Sequence, residues 1–180
     1  MSDVRFRTAG PRAALIGIAL TAVFAQGACE GNPVSPTARG SLLVLLTDAP
    51  IGDVERVEIF FTSLKVKPAG GPPFDLDLVL ADNPIDLLTL SDRVTALATG
   101  SVAAGDYEFI QVNIDPARSR LVESGAARSL KAPSTEVKIL GGFTVEADQQ
   151  TTITLDFDAT RSLVSLGNGD WLLKPLIVRK

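Results

Sequence analysis

Four aspartates carry the most chemistry that spacing alone suggests. Asp48 follows an apolar run, Asp115 precedes Pro116, and Asp156 and Asp158 sit two residues apart in an alternating stretch. Carboxylates at strand ends and on polar faces are donors for calcium, which takes about six to eight oxygens. The same residues also form turns or line a solvated face, the commoner use of such aspartates. No EF-hand or repeat-type calcium spacing is present, so no metal is assigned. Carboxylate pairs also run glycoside hydrolysis, but nothing marks one pair. The chain has no histidine, which removes His triads, His general bases and His metal ligands together. Ser63 and Lys65, like Ser129 and Lys131, are two residues apart. That spacing puts both side chains on one strand face but builds no oxyanion hole. Trp171 and Tyr107 have faces that stack on a sugar ring, and equally the bulk that packs a core. Gly167–Gly169 is a turn rather than a phosphate loop, because no helix is expected after it. No catalytic residue and no cofactor is expected.

The one residue with a definable chemical role is Cys29, the only cysteine in the chain, which rules out an intramolecular disulfide or a multi-cysteine metal site. Arg5, Arg7 and Arg12 form a positive leader, and Ala13–Ala25 is apolar and uncharged. That run is shorter than the ~20 residues a membrane span needs and has the length of a signal-peptide core. Gln26-Gly27-Ala28 then precedes Cys29. Small residues before a cysteine at this place resemble a bacterial lipobox, although Gln26 stands where an aliphatic residue is commoner. The resemblance implies diacylglycerol on the Cys29 thiol, cleavage before it, and a further acyl chain such as palmitate on the new amino terminus. An ordinary secretory signal cut near Ala28 and a short uncleaved anchor are the other two readings. Residues 1–28 are thus expected to be a signal peptide, and residues 29–39, rich in Pro and Gly, a lipidated cysteine with a flexible stalk. Loss of the leader removes three arginines and one aspartate from a chain of net charge −4. The remainder is too acidic to be drawn to nucleic acid or an anionic membrane. Lipid would have to hold it there, and two acyl chains suffice.

The elements that position everything else follow from residue 40. Hydrophobic residues at 46% suffice for a core, but aromatics at 6% leave it to Leu, Val, Ile and Ala. Thr151–Phe157 alternates apolar and polar, Gly167–Asp170 turns, and Trp171–Val178 is strand-like again. These read as the closing part of a half-buried antiparallel sheet, with Pro175 demanding an edge or a break. Ser41–Thr47 is continuously apolar and reads as a strand covered on both faces. Val54–Val66 switches parity near Thr62-Ser63, which predicts a bulge or a strand bending between sheets. Phe74, Leu76, Leu78 and Leu80 keep one parity, and Ile85–Leu90 is a short strand or one helical turn. Val94–Val102, Tyr107–Ile114, Arg120–Glu123, Ala127–Lys131, Val137–Leu140 and Phe143–Glu146 supply further strands. Eight to ten short strands without a sustained helical period predict an all-β protein, an antiparallel β-sandwich over residues 40–180.

Gly40–Pro50, Ala104–Val112, Ile139–Val145, Leu155–Asp158 and Leu173–Ile177 occur in the order and character of one known family. By these motifs the chain resembles domain-of-unknown-function family 4382, found in exported bacterial and archaeal proteins. Gln111 departs from it, since an arginine is commoner there. The resemblance implies a transthyretin- or immunoglobulin-like sandwich and frequent lipoprotein signals, and it implies no reaction. The expected function is a lipid-anchored exported module of the cell envelope that is not an enzyme. It would be held at the cell or outer membrane and would contact a glycan or an envelope protein. The alternative is a carboxylate-dependent envelope hydrolase acting on glycans, which requires a concave site holding two carboxyls at working separation.

Overall fold

The computed structural model describes residues 38–48, 52, 54–80 and 84–180. Cys29, the leader and most of the stalk lie outside the described residues. The chain is all-β. Its central strand is β1 (Arg39–Asp48), where Leu42, Val44 and Leu46 are fully buried and Leu43 and Leu45 half-buried. Both faces are covered, as the continuous apolar run predicts. β1 is flanked by β6 (Thr95–Ala103), antiparallel, and by β11 (Gln150–Phe157), parallel, with Val44 opposite both Ala98 and Ile153.

From this centre an eight-stranded sheet extends in both directions. Beyond β11 lies β14 (Ile177–Arg179). Beyond β6 come β4 (Phe74–Leu78), β3 (Phe61–Pro68), β7 (Gly105–Ile114) and β10 (Glu136–Val145). The sheet curls until its terminal strands β10 and β14 come close to each other. A bulge between Leu140 and Phe143, at Gly141-Gly142, bends β10 at this point.

A second sheet of six strands is ordered β12 (Leu163–Ser165), β13 (Trp171–Leu173), β9 (Ala126–Lys131), β8 (Arg120–Glu123), β2 (Arg56–Ile59) and β5 (Ile85–Asp86). The chain passes from β2 to β3, and so from sheet to sheet, through Phe60 alone. The break leaves no orphaned backbone group there. Phe60 N donates to Ser119 Oγ at 2.9 Å, and Asp115 N donates to Phe60 O at 2.8 Å. The parity switch near Thr62-Ser63 corresponds to the bulge just beyond, where the register of β3 against β7 shifts between Phe61 and Ser63. Residues of both sheets, among them Val57, Ile59, Leu121, Leu155 and Leu173, belong to one buried apolar cluster. A 3-10 turn (Leu87–Leu90) follows β5, so Ile85–Leu90 is both a strand and a turn. A single α-helical turn, α1 (Ala159–Ser162), follows β11.

Three expectations need correction. The described residues form fourteen strands rather than eight to ten, because several are only two to four residues long. The closing strands pair antiparallel among themselves, β11 with β14 and β12 with β13, but the sheets they close are mixed: β11 runs parallel to β1, and β13 parallel to β9. No local turn joins either parallel pair, so their direction is set by the path of the intervening chain. Finally, Trp171–Val178 is divided at Lys174–Leu176, next to Pro175. β13 stays in the second sheet and β14 becomes an edge of the first.

Candidate binding cleft

β4 is a short strand shared between two partners. Phe74, Asp75 and Leu76 pair with β3, whereas only Asp77 and Leu78 pair with β6, opposite Thr99 and Ala98. Val79 N donates to Leu97 O at 3.0 Å just beyond. On β6, Gly100–Ala103 pair with β1 on one side and have no ladder partner toward β4. The sheet therefore opens like a wedge between the first half of β4 and the last part of β6. The opening is a cleft of about 380 Å³.

Its floor is apolar. Leu76 and Val102 are buried, and Leu76 lies over Gly100. A Cβ on Gly100 would come within 2.7 Å of Leu76 Cδ1, so glycine is what lets Leu76 seat there. Its rim is polar. Asp75 and Asp77 stand on one bank; Asp75 Oδ2 lies 3.3 Å from Lys65 Nζ. On the other bank Arg39 Nε donates to Ser101 Oγ at 3.0 Å and its Nη2 to the Ser101 carbonyl. Phe74 lines the same cleft and is 37% exposed.

Phe74 is oriented from below by Tyr107, whose ring meets it edge-on at 6.5 Å between centroids. Tyr107 also stacks on Phe143 of β10 at 5.0 Å. Its hydroxyl donates to Ala103 O at 2.8 Å, the kind of back-reaching bond that tyrosine makes at strand corners of β-sandwiches. Gly105, between them, has φ +138°, a conformation that a side chain would strain. The Ala104-Gly-Asp-Tyr107 motif is thus a locked corner between β6 and β7. Burial pushes the Tyr107 phenol above its ordinary value, with the Arg39 charge acting in the opposite sense.

A second groove, of about 500 Å³, runs along the seam where β10 and β14 approach. Lys138, Leu140, Val178 and Arg179 line it, and Leu140 is 77% exposed. Arg179 Nη1 donates to the carbonyls of Gly141 at 3.2 Å and Gly142 at 2.9 Å.

The residues singled out from sequence are dispersed. Asp48 is buried, and its Oδ1 accepts from Ala159 N at 3.0 Å. Asp115 Oδ1 accepts from Ala117 N at 2.9 Å, closing the turn after β7. Asp156 Oδ2 is 3.0 Å from Lys180 Nζ. Asp158 caps α1, accepting from Arg161 N at 2.9 Å. Among the described residues no three His, Cys, Asp or Glu side chains gather as a metal site. Ser63 Oγ accepts from Asn113, Lys65 meets Asp75, and Lys131 pairs with Asp170, so neither Ser/Lys pair forms a nucleophile–base couple. Trp171 is half-buried against the core. Tyr107, at 2% exposure, faces inward and cannot be a stacking platform.

Arg39, Phe74, Asp75, Asp77 and Ser101 escaped sequence reasoning. Phe74 shares the parity of Leu76, yet it is 37% exposed, because the first half of β4 has no partner on the β6 side. One signal was present: a glycine within a strand, Gly100, marks a close approach by another group.

The model of the family described as Domain of unknown function (DUF4382) matches residues 39–175. Searches among curated proteins and among solved structures returned no match.

Proposed function

The chain belongs to the DUF4382 family, and from that premise we propose that it is an exported, lipid-anchored and non-catalytic binding module of the cell envelope. Its ligand site is the cleft between β4 and β6. The observation that carries this reading is the cleft itself, an opening within the sheet with an apolar floor and a polar rim. Such mixed concavities of a few hundred Å³ are where small ligands bind. The anchor is Cys29, acylated after cleavage of residues 1–28, with residues 30–38 as the tether. The finer architecture is a two-layer sandwich, supported by the apolar cluster that both sheets share.

Two experiments test the two halves. Mass spectrometry of the mature amino-terminal peptide should find diacylglyceryl-Cys29. An unmodified cysteine, or a start at Glu30 or later, would remove the anchor. A photocrosslinking residue at Ser101, in the full chain in its native envelope, should give adducts that the same residue at Ser129 does not. Equal labelling at both would remove the cleft as the ligand site.

One observation favours the hydrolase alternative: Asp75 and Asp77 share a cleft. Against it, a glycosidase acid keeps its proton through burial in apolar surroundings. Here the Asp75 side chain is 62% exposed and sits beside Lys65, and Asp77 is exposed too. Asp75→Asn and Asp77→Asn separate the readings. In a hydrolase either change abolishes turnover of glycan substrates. In a binding module there is no turnover to lose.

A further inference from the structure

Building on the assignment of the cleft as the ligand site, we infer that its ligand is a neutral saccharide, with one sugar ring seated on Phe74 between the Asp75–Asp77 bank and the Arg39–Ser101 bank. Three properties of the cleft select this class.

The first is shape. A peptide strand running between β4 and β6 would need its own ~4.8 Å spacing from each neighbour. Leu76 packs over the face of Gly100, where a Cβ would come within 2.7 Å, so the two strands are already close at that level. The wedge then closes at the Asp77–Thr99 pair. An extended chain is blocked, while a compact ring in the mouth of the wedge is not.

The second is charge balance. The two carboxylates of the rim face one guanidinium, and Lys65 sits on Asp75. Neither an anion nor a cation gains from the rim as a whole. A neutral ligand carrying many hydroxyls does, because carboxylates accept from hydroxyls and the guanidinium and the Ser101 hydroxyl donate to them. Asp77 has no ion-pair partner among the described residues, so its acceptors are available.

The third is amphipathy. A pyranose ring has an apolar C–H face and a polar edge. The cleft offers the complement, with the partly exposed Phe74 ring and the Leu76–Val102 floor beneath a polar rim. Tyr107, edge-on at 6.5 Å, holds Phe74 at a fixed tilt. This keeps the role foreseen for an aromatic residue and moves it from Tyr107 to Phe74.

The test uses the full chain purified in detergent, with the amide resonances of Gly100 and Ser101 followed by NMR. Maltotriose, cellotriose and chitotriose are titrated in separate arms, and tetraalanine in another. At least one trisaccharide should shift both resonances saturably, and tetraalanine should not. Phe74→Leu, which keeps apolar bulk but loses the ring, should weaken that saccharide about tenfold. Asp77→Asn, on the exposed rim and outside the core, should weaken it by about tenfold as well. Undiminished affinity in both variants overturns the inference. Shifts from tetraalanine alone overturn it while leaving the cleft as a binding site. Resonances that no probe moves overturn the saccharide assignment too, and the Ser101 crosslink then decides separately whether the cleft binds anything.

Discussion

Between β10 and β14 the eight-stranded sheet stops pairing at its two ends, and between β4 and β6 it stops pairing in its middle. An arginine stands at each break. At the seam Arg179 donates to two successive carbonyls, Gly141 and Gly142, on the opposite strand. Its side chain does what a ladder would do and ties the curl shut. At the cleft Arg39 donates to Ser101 on the neighbouring strand of its own bank. It bridges nothing to β4, so the gap stays open with its polar groups held in place. The seam is a closure with exposed aliphatic flanks, and the cleft is an opening with an apolar floor and a polar rim. Leu76 seats closely over Gly100 at the floor of that opening, which only a glycine there permits.

Filling the space that Leu76 uses over Gly100 has the largest expected effect. Gly100→Val forces its side chain into Leu76 and should cost about 1–3 kcal/mol in denaturant unfolding, as overpacking does. It should also erase the cleft while leaving the seam intact. Unchanged stability would mean that β4 can shift freely, and the contrast between the two breaks would collapse.

Tyr107 touches both regions, Phe74 at the cleft and Phe143 on the seam strand β10. Tyr107→Phe keeps the rings but leaves the Ala103 carbonyl without its donor. Unfolding should become easier by about 1 kcal/mol, and hydrogen exchange should rise at Ala103–Gly105 more than at Gly141.

Glu58, in the other sheet, provides a control by titration. A hydrogen bond from Arg120, opposed by burial and aided by Arg56, holds its carboxyl below the ordinary glutamate value. The folded value is lower than the unfolded one. The stabilisation is therefore complete above the unfolded pKa, about 4.3, and disappears as pH falls through the folded value. Glu58→Gln should flatten this acid limb in pH-dependent unfolding. Exchange at Ser101 and Gly141 at neutral pH should not change, and a change would mean that the two sheets are coupled at the breaks.

The smallest effects come from the two arginines, whose bonds are exposed. Each arginine-to-alanine change should cost less than about 1 kcal/mol. Their exchange patterns should differ, however: Arg179→Ala frees the edges of both β10 and β14, while Arg39→Ala affects β6 alone. Equal spreading in both variants would erase the distinction between the two breaks.

Much of the fold was legible, for reasons that are local. Period-two alternation marked β7 and β11. The parity switch after Phe61 marked the bulge in β3 between Phe61 and Ser63. Pro175 marked the division of β13 from β14, since proline has no donor for a ladder. The site was not legible. Phe74 has the parity of an inner-face residue and is exposed, because β4 pairs with β6 only from Asp77 onward. Tyr107 has the chemistry of a platform and is buried, because Gly105 turns it inward beneath Ala103. The four aspartates drew attention by their positions at strand ends, and each serves a nearby backbone amide or lysine instead.

By itself the sequence determined the β class, the absence of histidine chemistry and a single cysteine behind an apolar run. All of these are properties of composition or of neighbours along the chain. Only the tertiary structure decided which strands lie side by side, and so where a strand edge is left without a partner. Arg39, Phe74–Asp77 and Ser101 come from three separate stretches. They meet because β6 pairs along its length with β1 but for only two residues with β4. No local period encodes that difference, since it arises from how a curling sheet distributes its backbone hydrogen bonds.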